Sequence, residues 1–482
     1  MAVHHKKRTK IICTMGPATE DDEVLRQLIL EGMNVARFNF SHGSHAYHRR
    51  NIERVRRLSE ELSIPVAILL DTKGPEIRTG ELVDHKNVTL KKGESVVVTT
   101  RDVQGTAKCF SLDYKNLPNE VESGSIILVD DGLIALKVDH VEGEDIHCIV
   151  QNGGELKEHK GINVPNVDVA LPSVTAQDRA DIMFGCELGV DAIAASFIRS
   201  GAAVDEIRKI CNEMGMRNIS IFSKIESATA VKNFDEILQH SDGIMVARGD
   251  LGVEMPAEQV PHIQKTIVAK CADAYKPVIV ATQMLDSMTH NPRPTRAEVG
   301  DVANAVYDGA DCVMLSGETA AGAYPIEAVK TMAAVCKETE RYLEERQVYH
   351  DRGGVRNVNS AIGFAAVQIA DRVGAKCIIC PTHSGRTARL ISNFRPDLPI
   401  YAMSPSRQAI RKTCFLWGVF AYKTVEQGSL SATLHESLER AKEEHLVSHG
   451  DVVVITSGDP QTSPQQGDYI TSTNMAMVAQ VQ

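Results

Sequence analysis

The sequence predicts an α/β fold: a (β/α)8 barrel with a small all-β domain inserted into it, followed by an open α/β domain. Three observations lead there. Short β-branched runs alternate with amphipathic stretches of helical length through the first two thirds of the chain. One long segment of alternating apolar pattern, punctuated by glycine, interrupts them. After about residue 346 the strand–helix pattern restarts.

The runs at 9–15, 34–40, 66–72, 192–197, 219–225, 243–248, 277–283 and 312–317 are eight candidate strands. Segments 21–31, 45–62, 177–188, 204–213, 228–238, 257–274, 296–308 and 325–346 read as the helices between and after them. Apolar strands alternating with helices mean a parallel sheet covered on both faces, and eight such units suggest closure into a barrel. The interruption, 76–172, is far too long for a loop. Its alternating runs at 88–90, 95–99, 125–129, 133–138 and 145–150 read as a β domain at the mouth of the barrel, where it could serve as a lid. Beyond a polar linker at 347–359, strands are expected at 377–382, 400–403, 420–424, 451–456 and 474–481, with helices at 360–373, 387–393 and 430–447. The expected domains are therefore a barrel from 1–73 and 168–346, an inserted β domain at 74–167 and a C-terminal α/β domain at 347–482.

Composition bounds the function. At about 150 residues per domain, 482 residues suggest roughly three domains. A net charge of -11 argues against a nucleic-acid or membrane-surface binder, because anionic partners repel an acidic surface. No apolar run reaches the roughly 20 residues that cross a bilayer, and the short apolar stretch behind the basic N-terminus is no signal-peptide core. Eleven scattered cysteines fit a reducing compartment, so a cytoplasmic protein is expected. The Cys377–Cys380 pair lies in an apolar run and reads as buried strand, since no second Cys or His pair stands at ligand spacing.

Strand ends of a barrel meet on one face, where chemistry is built. Here they carry Asn39, Ser41, Asp71, Thr72, Ser196, Lys224, Glu226, Asp250 and Thr282. Lys224 and Glu226 are two apart and point the same way on a strand. With Asp250 from the next strand they suit a magnesium (or manganese) ion beside a fixed positive charge, and a lysine there can stabilise a phosphoryl group in transfer. The same residues would equally form a buried Lys–Glu ion pair. Asn39, Ser41, Asp71 and Thr72 offer one carboxylate with neutral oxygens, which suits potassium better than zinc; by themselves they read as a hydrogen-bonded turn. Arg37 and Arg78 are candidate phosphate ligands, since guanidinium groups bind oxygens in pairs, or surface and interdomain ion pairs. Gly249 lets backbone amides approach an anion closely. The chain has no Walker A loop, no Gly-x-Gly-x-x-Gly, no Gly-x-Ser-x-Gly and no His-Glu-x-x-His.

The order and detail of these residues resemble a known family. Segments 9–18, 32–43 (containing Arg37-Phe38-Asn39-Phe40-Ser41-His42-Gly43), 70–80, 223–226, 245–252, 281–285, 292–310 and 314–320 are similar to the pyruvate kinases. The resemblance covers nearly the whole chain. It implies a glycolytic enzyme that passes the phosphoryl group of phosphoenolpyruvate to ADP, giving pyruvate and ATP. It further implies that Glu226 and Asp250 hold magnesium or manganese, and that Asn39, Ser41, Asp71 and Thr72 hold potassium. Lys224, Thr282 and Arg37 would be catalytic, Gly249 and Asp250 would help seat the substrate, and Asn39, His42 and Arg78 would face the nucleotide. Glu76 stands where potassium-dependent members of the family have glutamate and independent ones lysine. Gln177 departs from the family, which usually places a nucleotide-contacting lysine there; the nucleotide preference is open. Thr382, His383, Ser384, Gly385, Arg386 and Thr387 resemble the family's effector phosphate loop. The segment 457–473 lacks Arg and Lys, so a sugar monophosphate or AMP is expected over fructose 1,6-bisphosphate. A homotetramer is implied. The competing readings are a metal-dependent enolpyruvate carbon–carbon lyase and a metabolite sensor without catalysis.

Overall fold

The computed structural model describes residues 7–165, 167, 169–345, 357–458 and 473–482. Eight parallel strands close into a barrel: β1 (Lys10–Thr14), β2 (Met33–Asn39), β3 (Ala67–Asp71), β4 (Ala192–Ala195), β5 (Ser220–Ile225), β6 (Gly243–Ala247), β7 (Val278–Ala281) and β8 (Cys312–Leu315). Each pairs with its sequence neighbours, and β8 returns to β1. All eight predicted strands are present; seven are trimmed at one or both ends, and β2 is shifted one residue toward the N-terminus. Most are buried at every position, as a sheet covered on both faces requires. One apolar layer lies between strands and helices; a second fills the barrel with Ile12, Val35, Leu69, Phe222, Met245 and Ile279.

The predicted helix at 228–238 is two, Ala228–Lys232 and Phe234–His240, with Asn233 between them. Asn233 donates its side-chain amide to the Arg199 carbonyl at 2.8 Å, which gives the break a bonded partner. Thr175 with Asp178 and Thr295 with Glu298 form reciprocal caps that start helices Ala176–Glu187 and Arg296–Asp308.

The insertion folds as a seven-stranded sheet around Ile77, Val98, Ile127, Leu136, Ile146 and Ile162, with a separate two-stranded ribbon. The strands Ile77–Arg78, Cys109–Ser111, Gly154–Leu156 and Gly161–Asn163 were not predicted. They are too short for a period-two pattern to emerge. The C-terminal sheet has five strands, four parallel and the last, Met475–Gln480, antiparallel against Val452–Ser457. The Cys377–Cys380 pair is buried there, and burial pushes both thiols up to about 12. Most of the predicted linker lies outside the described residues.

The floor of the barrel repeats one device. Asp191, Asp242 and Asp311 stand immediately before β4, β6 and β8. Each carboxylate accepts a backbone N–H from the preceding strand: Ile68 at 2.8 Å, Ile221 at 2.9 Å and Val278 at 2.9 Å. Each also takes an arginine: Arg411 at 2.7 Å, Arg208 at 2.6 Å and Arg395 at 2.8 Å respectively. Arg411 and Arg395 come from the C-terminal region, whose Phe415 packs at a tilt against Phe222 inside the barrel, 4.8 Å between ring centroids. Among the described residues no helix is long and apolar enough to cross a membrane.

Arg395→Ala strands a buried Asp311 carboxylate, and losing one partner of a buried pair costs about 3 kcal/mol or more. We expect a lower thermal midpoint for Arg395→Ala, partly recovered in Arg395→Ala/Asp311→Asn. Equal midpoints for single variant and wild type would show that the pair does not hold the two parts together.

Candidate active site

The strand ends deliver their polar residues to one place. Asn39 of β2 lies in register with Asp71 of β3, Ala194 of β4 with Asp71, and Ala195 with Ser223 of β5. Lys224 therefore extends toward β4 and β3. Its ammonium lies 2.8 Å from Glu226 Oε1 and 3.2 Å from Asp71 Oδ1, and it donates to Ser196 Oγ at 2.7 Å. The other Asp71 oxygen accepts from Arg37 Nε at 2.6 Å, and Arg37 also donates to Thr14 Oγ1 at 2.9 Å. Glu226 Oε2 accepts the Phe197 backbone N–H at 2.5 Å.

The electrostatics follow from this packing. Burial raises the cost of charge on Asp71, but the Arg37 and Lys224 charges outweigh it and hold its carboxyl below the usual range. Burial likewise opposes charge on Lys224; Asp71, Glu226 and Asp250 outweigh it and hold the ammonium above its ordinary value. Glu226 goes the other way. Burial first, and then Asp250, push it up to about 7 despite the pull of Lys224. The cluster is short of positive charge where Glu226 and Asp250 face each other.

Asp250 is not at the end of a strand, as its place in the sequence suggested. β6 stops at Ala247, and Asp250 lies in the short helix Arg248–Glu254. The Gly249 N–H donates to Thr282 Oγ1 at 2.8 Å, and that hydroxyl donates to the Ala281 carbonyl at 2.6 Å. Thr282 has a φ of +69°, and it is the one β-branched residue at positive φ among those described. Such a conformation costs roughly 1–3 kcal/mol and persists only where its surroundings enforce it. Arg248 does the enforcing. It donates to the Thr282 carbonyl at 2.7 Å and the Ala281 carbonyl at 3.2 Å, while Asp301 grips its other arm at 2.7 Å. A cleft of about 870 Å³ opens beside Gly249, Asp250 and Thr282.

The remaining predicted residues have their own partners. Asp71 and Thr72 are buried, and Asn39 Oδ1 accepts the Ser41 N–H at 3.1 Å, so the potassium candidates include the turn expected of them. Arg78 is tied to Glu76 at 2.8 Å and to the His159 carbonyl at 2.6 Å. His42 is exposed beyond β2. Gln177 donates to Asp181 at 2.8 Å, and Asp181 also holds His45 at 2.6 Å. Thr382–Thr387 is remote in sequence and belongs to the C-terminal sheet: Gly385, at a φ of +81°, donates to Thr382 Oγ1 at 2.9 Å, and the Thr387 hydroxyl is bonded to Thr473 at 2.7 Å. Positions 459–472 of the late loop lie outside the described residues.

Four contributors were missed or undervalued. Arg248 closes the predicted strand at 243–248, and the sequence gives it no role of its own. Ser196 turns out to bridge Lys224 and Asp71. Asp131 and Asn163 of the inserted sheet line a cavity with Asp250 and Glu254, and Asn163 donates to Glu254 at 3.0 Å. Asp131 could have been suspected from its Asp130-Asp131-Gly132 turn; Asn163 carries no local signal.

The family "Pyruvate kinase, barrel domain" matches residues 6–329, and "Pyruvate kinase, alpha/beta domain" matches 360–479. This chain belongs to the pyruvate kinase family. A pyruvate kinase of Sporosarcina psychrophila is 48% identical over 461 residues, 94% of this chain and 78% of that protein. One from Staphylococcus saprophyticus is 48% identical over 459 residues, with the same coverage. The crystal structure of a pyruvate kinase from Cryptosporidium parvum superimposes with a TM-score of 0.92 at 40% identity, covering 99% of this chain and 97% of that one. The chain is thus an enzyme with pyruvate kinase activity, a phosphotransferase acting between phosphoenolpyruvate and ADP. Pyruvate kinases are generally dependent on magnesium and potassium. The lyase and sensor readings fall with this membership.

Arg248→Lys keeps the charge but not the planar fork that reaches Thr282, Ala281 and Asp301 together. A slight misplacement of Thr282 would cost about a hundredfold in turnover. We expect kcat to fall by that order in a lactate dehydrogenase-coupled assay with the thermal midpoint kept; unchanged kcat would show that Arg248 does not position the site.

Proposed function

We propose that the Lys224–Asp71–Glu226 cluster is the phosphoryl-transfer centre of this pyruvate kinase. The observation that carries it is the lysine ammonium held between two carboxylates in a cluster still short of positive charge. Glu226 and Asp250 are hard oxygen donors of the number that magnesium or manganese takes from a protein, and the raised Glu226 beside Asp250 supports a cation between them. The ion would supply charge neutralisation for phosphoryl and enolate oxygens. Asn39, Ser41, Asp71 and Thr72, one carboxylate among neutral oxygens, fit potassium, and Glu76 in place of lysine supports that dependence.

Within this reading Arg37 and Lys224 grip the phosphate of phosphoenolpyruvate. Gly249, Asp250 and Thr282 seat its carboxylate. The bond from phosphorus to the enol oxygen breaks as the ADP β-phosphate oxygen bonds to phosphorus, and Lys224 stabilises the group in transit. The enolate left behind takes a proton at carbon, close to the Thr282 hydroxyl. Asn39, His42 and Arg78 face the nucleotide. The spans 1–73 with 168–346, 74–167 and 347–482 are the proposed domains; each hydrogen-bonded sheet falls wholly inside one of them. The inserted sheet, touching Glu254 through Asn163, acts as the lid. The loop Thr382–Thr387 takes a phosphorylated effector, a sugar monophosphate or AMP, in a cytoplasmic homotetramer.

Lys224→Met should lower turnover by about a thousandfold with the circular dichroism spectrum unchanged; substantial remaining activity would remove Lys224 from the mechanism. In potassium-free sodium buffer the enzyme should be nearly inactive, and Glu76→Lys should restore part of the activity. Full wild-type activity without potassium would overturn the monovalent site.

A further inference from the structure

The inserted sheet carries a cluster of a different chemistry. Strands Ile134–Glu142 and Asp145–Asn152 form a hairpin whose turn is Gly143-Glu144, with Gly143 at a φ of +60°. His140 faces His147 directly across the ladder, and Glu142 faces Asp145 two residues nearer the tip. Residues opposed in an antiparallel pair share a face, as do residues two apart on a strand. His140, His147 and Glu142 therefore crowd one face of the hairpin. One ligand atom from each lies within 4.8 Å of the others. The two imidazoles stack at 4.3 Å with planes 7° apart, and His147 Nε2 stands 4.0 Å from Glu142 Oε2.

A bulge refines this arrangement. The ladder pairs His147 with His140 but Cys148 with Val138, so Asp139 is the extra residue. In a regular strand Asp139 and His140 would point to opposite faces. The bulge turns both outward, and the Asp139 carboxylate lies 2.8 Å from His140 Nδ1. An N–H at Nδ1 donating to that carboxylate leaves the Nε2 lone pair free, the orientation that carboxylates impose on metal-binding histidines.

We infer that His140, His147 and Glu142 form a second metal site, suited to a late first-row divalent ion such as zinc and separate from the oxygen-lined barrel mouth. Two imidazoles and one carboxylate are a donor set that zinc accepts and magnesium does not favour. Three protein ligands leave a position for water. Side-chain exposures of 56% for His140 and 34% for His147 give the ion access. Bringing both lone pairs onto one ion requires a ring to turn about its Cβ–Cγ bond, a soft torsion at such exposure. Acidic Asp139 and Glu142 add favourable charge, while Asp145 is neutralised by Arg101 at 2.8 Å.

The test is calorimetric titration of zinc chloride into the full chain with magnesium and potassium saturating. Wild type should bind one zinc more than His147→Ala does, and His140→Ala should weaken that site by about tenfold or more. His4→Ala/His5→Ala, which alters the other histidine pair near the N-terminus, should leave the site intact. Phosphoryl transfer with magnesium should be unchanged in every variant, marking an intact fold. Identical zinc isotherms for wild type and His147→Ala, no binding up to millimolar zinc, or loss of the site in His4→Ala/His5→Ala would each overturn the assignment.

Discussion

The constraint behind the barrel mouth is that its charges must be buried together. Asp71, Glu226 and Lys224 are almost wholly withdrawn from water, and Arg37 is mostly so. Charges in such a place are tolerated only when paired and hydrogen-bonded. Every oxygen of Asp71 and Glu226 has such a partner: Arg37, Lys224, Ser196 or the Phe197 N–H. These partners come from β2, β3, β5 and the turn after β4. They converge only if the parallel register is kept around the barrel, so chemistry at the mouth depends on closure of the sheet beneath it. Pairing is nevertheless incomplete, and Glu226 keeps a raised proton affinity beside Asp250. The cluster is thus satisfied in its hydrogen bonds while Glu226 stays raised, which is the basis of the cation site proposed above.

The opposite end of the barrel solves the same problem differently. The three floor aspartates each bond a backbone N–H of the neighbouring strand and one arginine, and burial still raises the Asp191 carboxyl against its arginine partners. Two of those arginines belong to the C-terminal part of the chain, which also supplies Phe415 to the barrel interior. Strand register at the floor is thus set jointly by the barrel and its neighbour. A displacement of the C-terminal sheet would act on Asp191 and Asp311, hence on the start of β4 and β8. These strands lead to Ser196 and Ser316 at the mouth.

The sequence made the barrel legible because eight apolar strands with polar ends repeat one unit, and Lys224 and Glu226 are two apart on a single strand. Asp71 was legible as the carboxylate of an oxygen cluster or turn but not as the partner of Lys224, because that pairing crosses β4 and has no local pattern. The small strands of the insertion escaped for a related reason: two or three residues carry no periodicity, and long-range pairing alone defines them. Asp250 was misplaced by three residues because an apolar run followed by Arg248-Gly249 does not say where extended backbone turns helical. Arg248 was overlooked since its role is to bond carbonyls, and carbonyls are invisible in a sequence.

That role explains why strain is stored at Thr282. A threonine in the left-handed region would relax in an ordinary loop, and glycine would occupy it more cheaply. Glycine would lose the hydroxyl that meets the Gly249 N–H. Fixing a hydroxyl and an amide at 2.8 Å requires the β-branched side chain and the unfavourable φ together. The Arg248 guanidinium, anchored by Asp301, holds the carbonyls on both sides of that hydroxyl. The cost is met in the folded chain, so the Thr282 conformation is set before any substrate arrives.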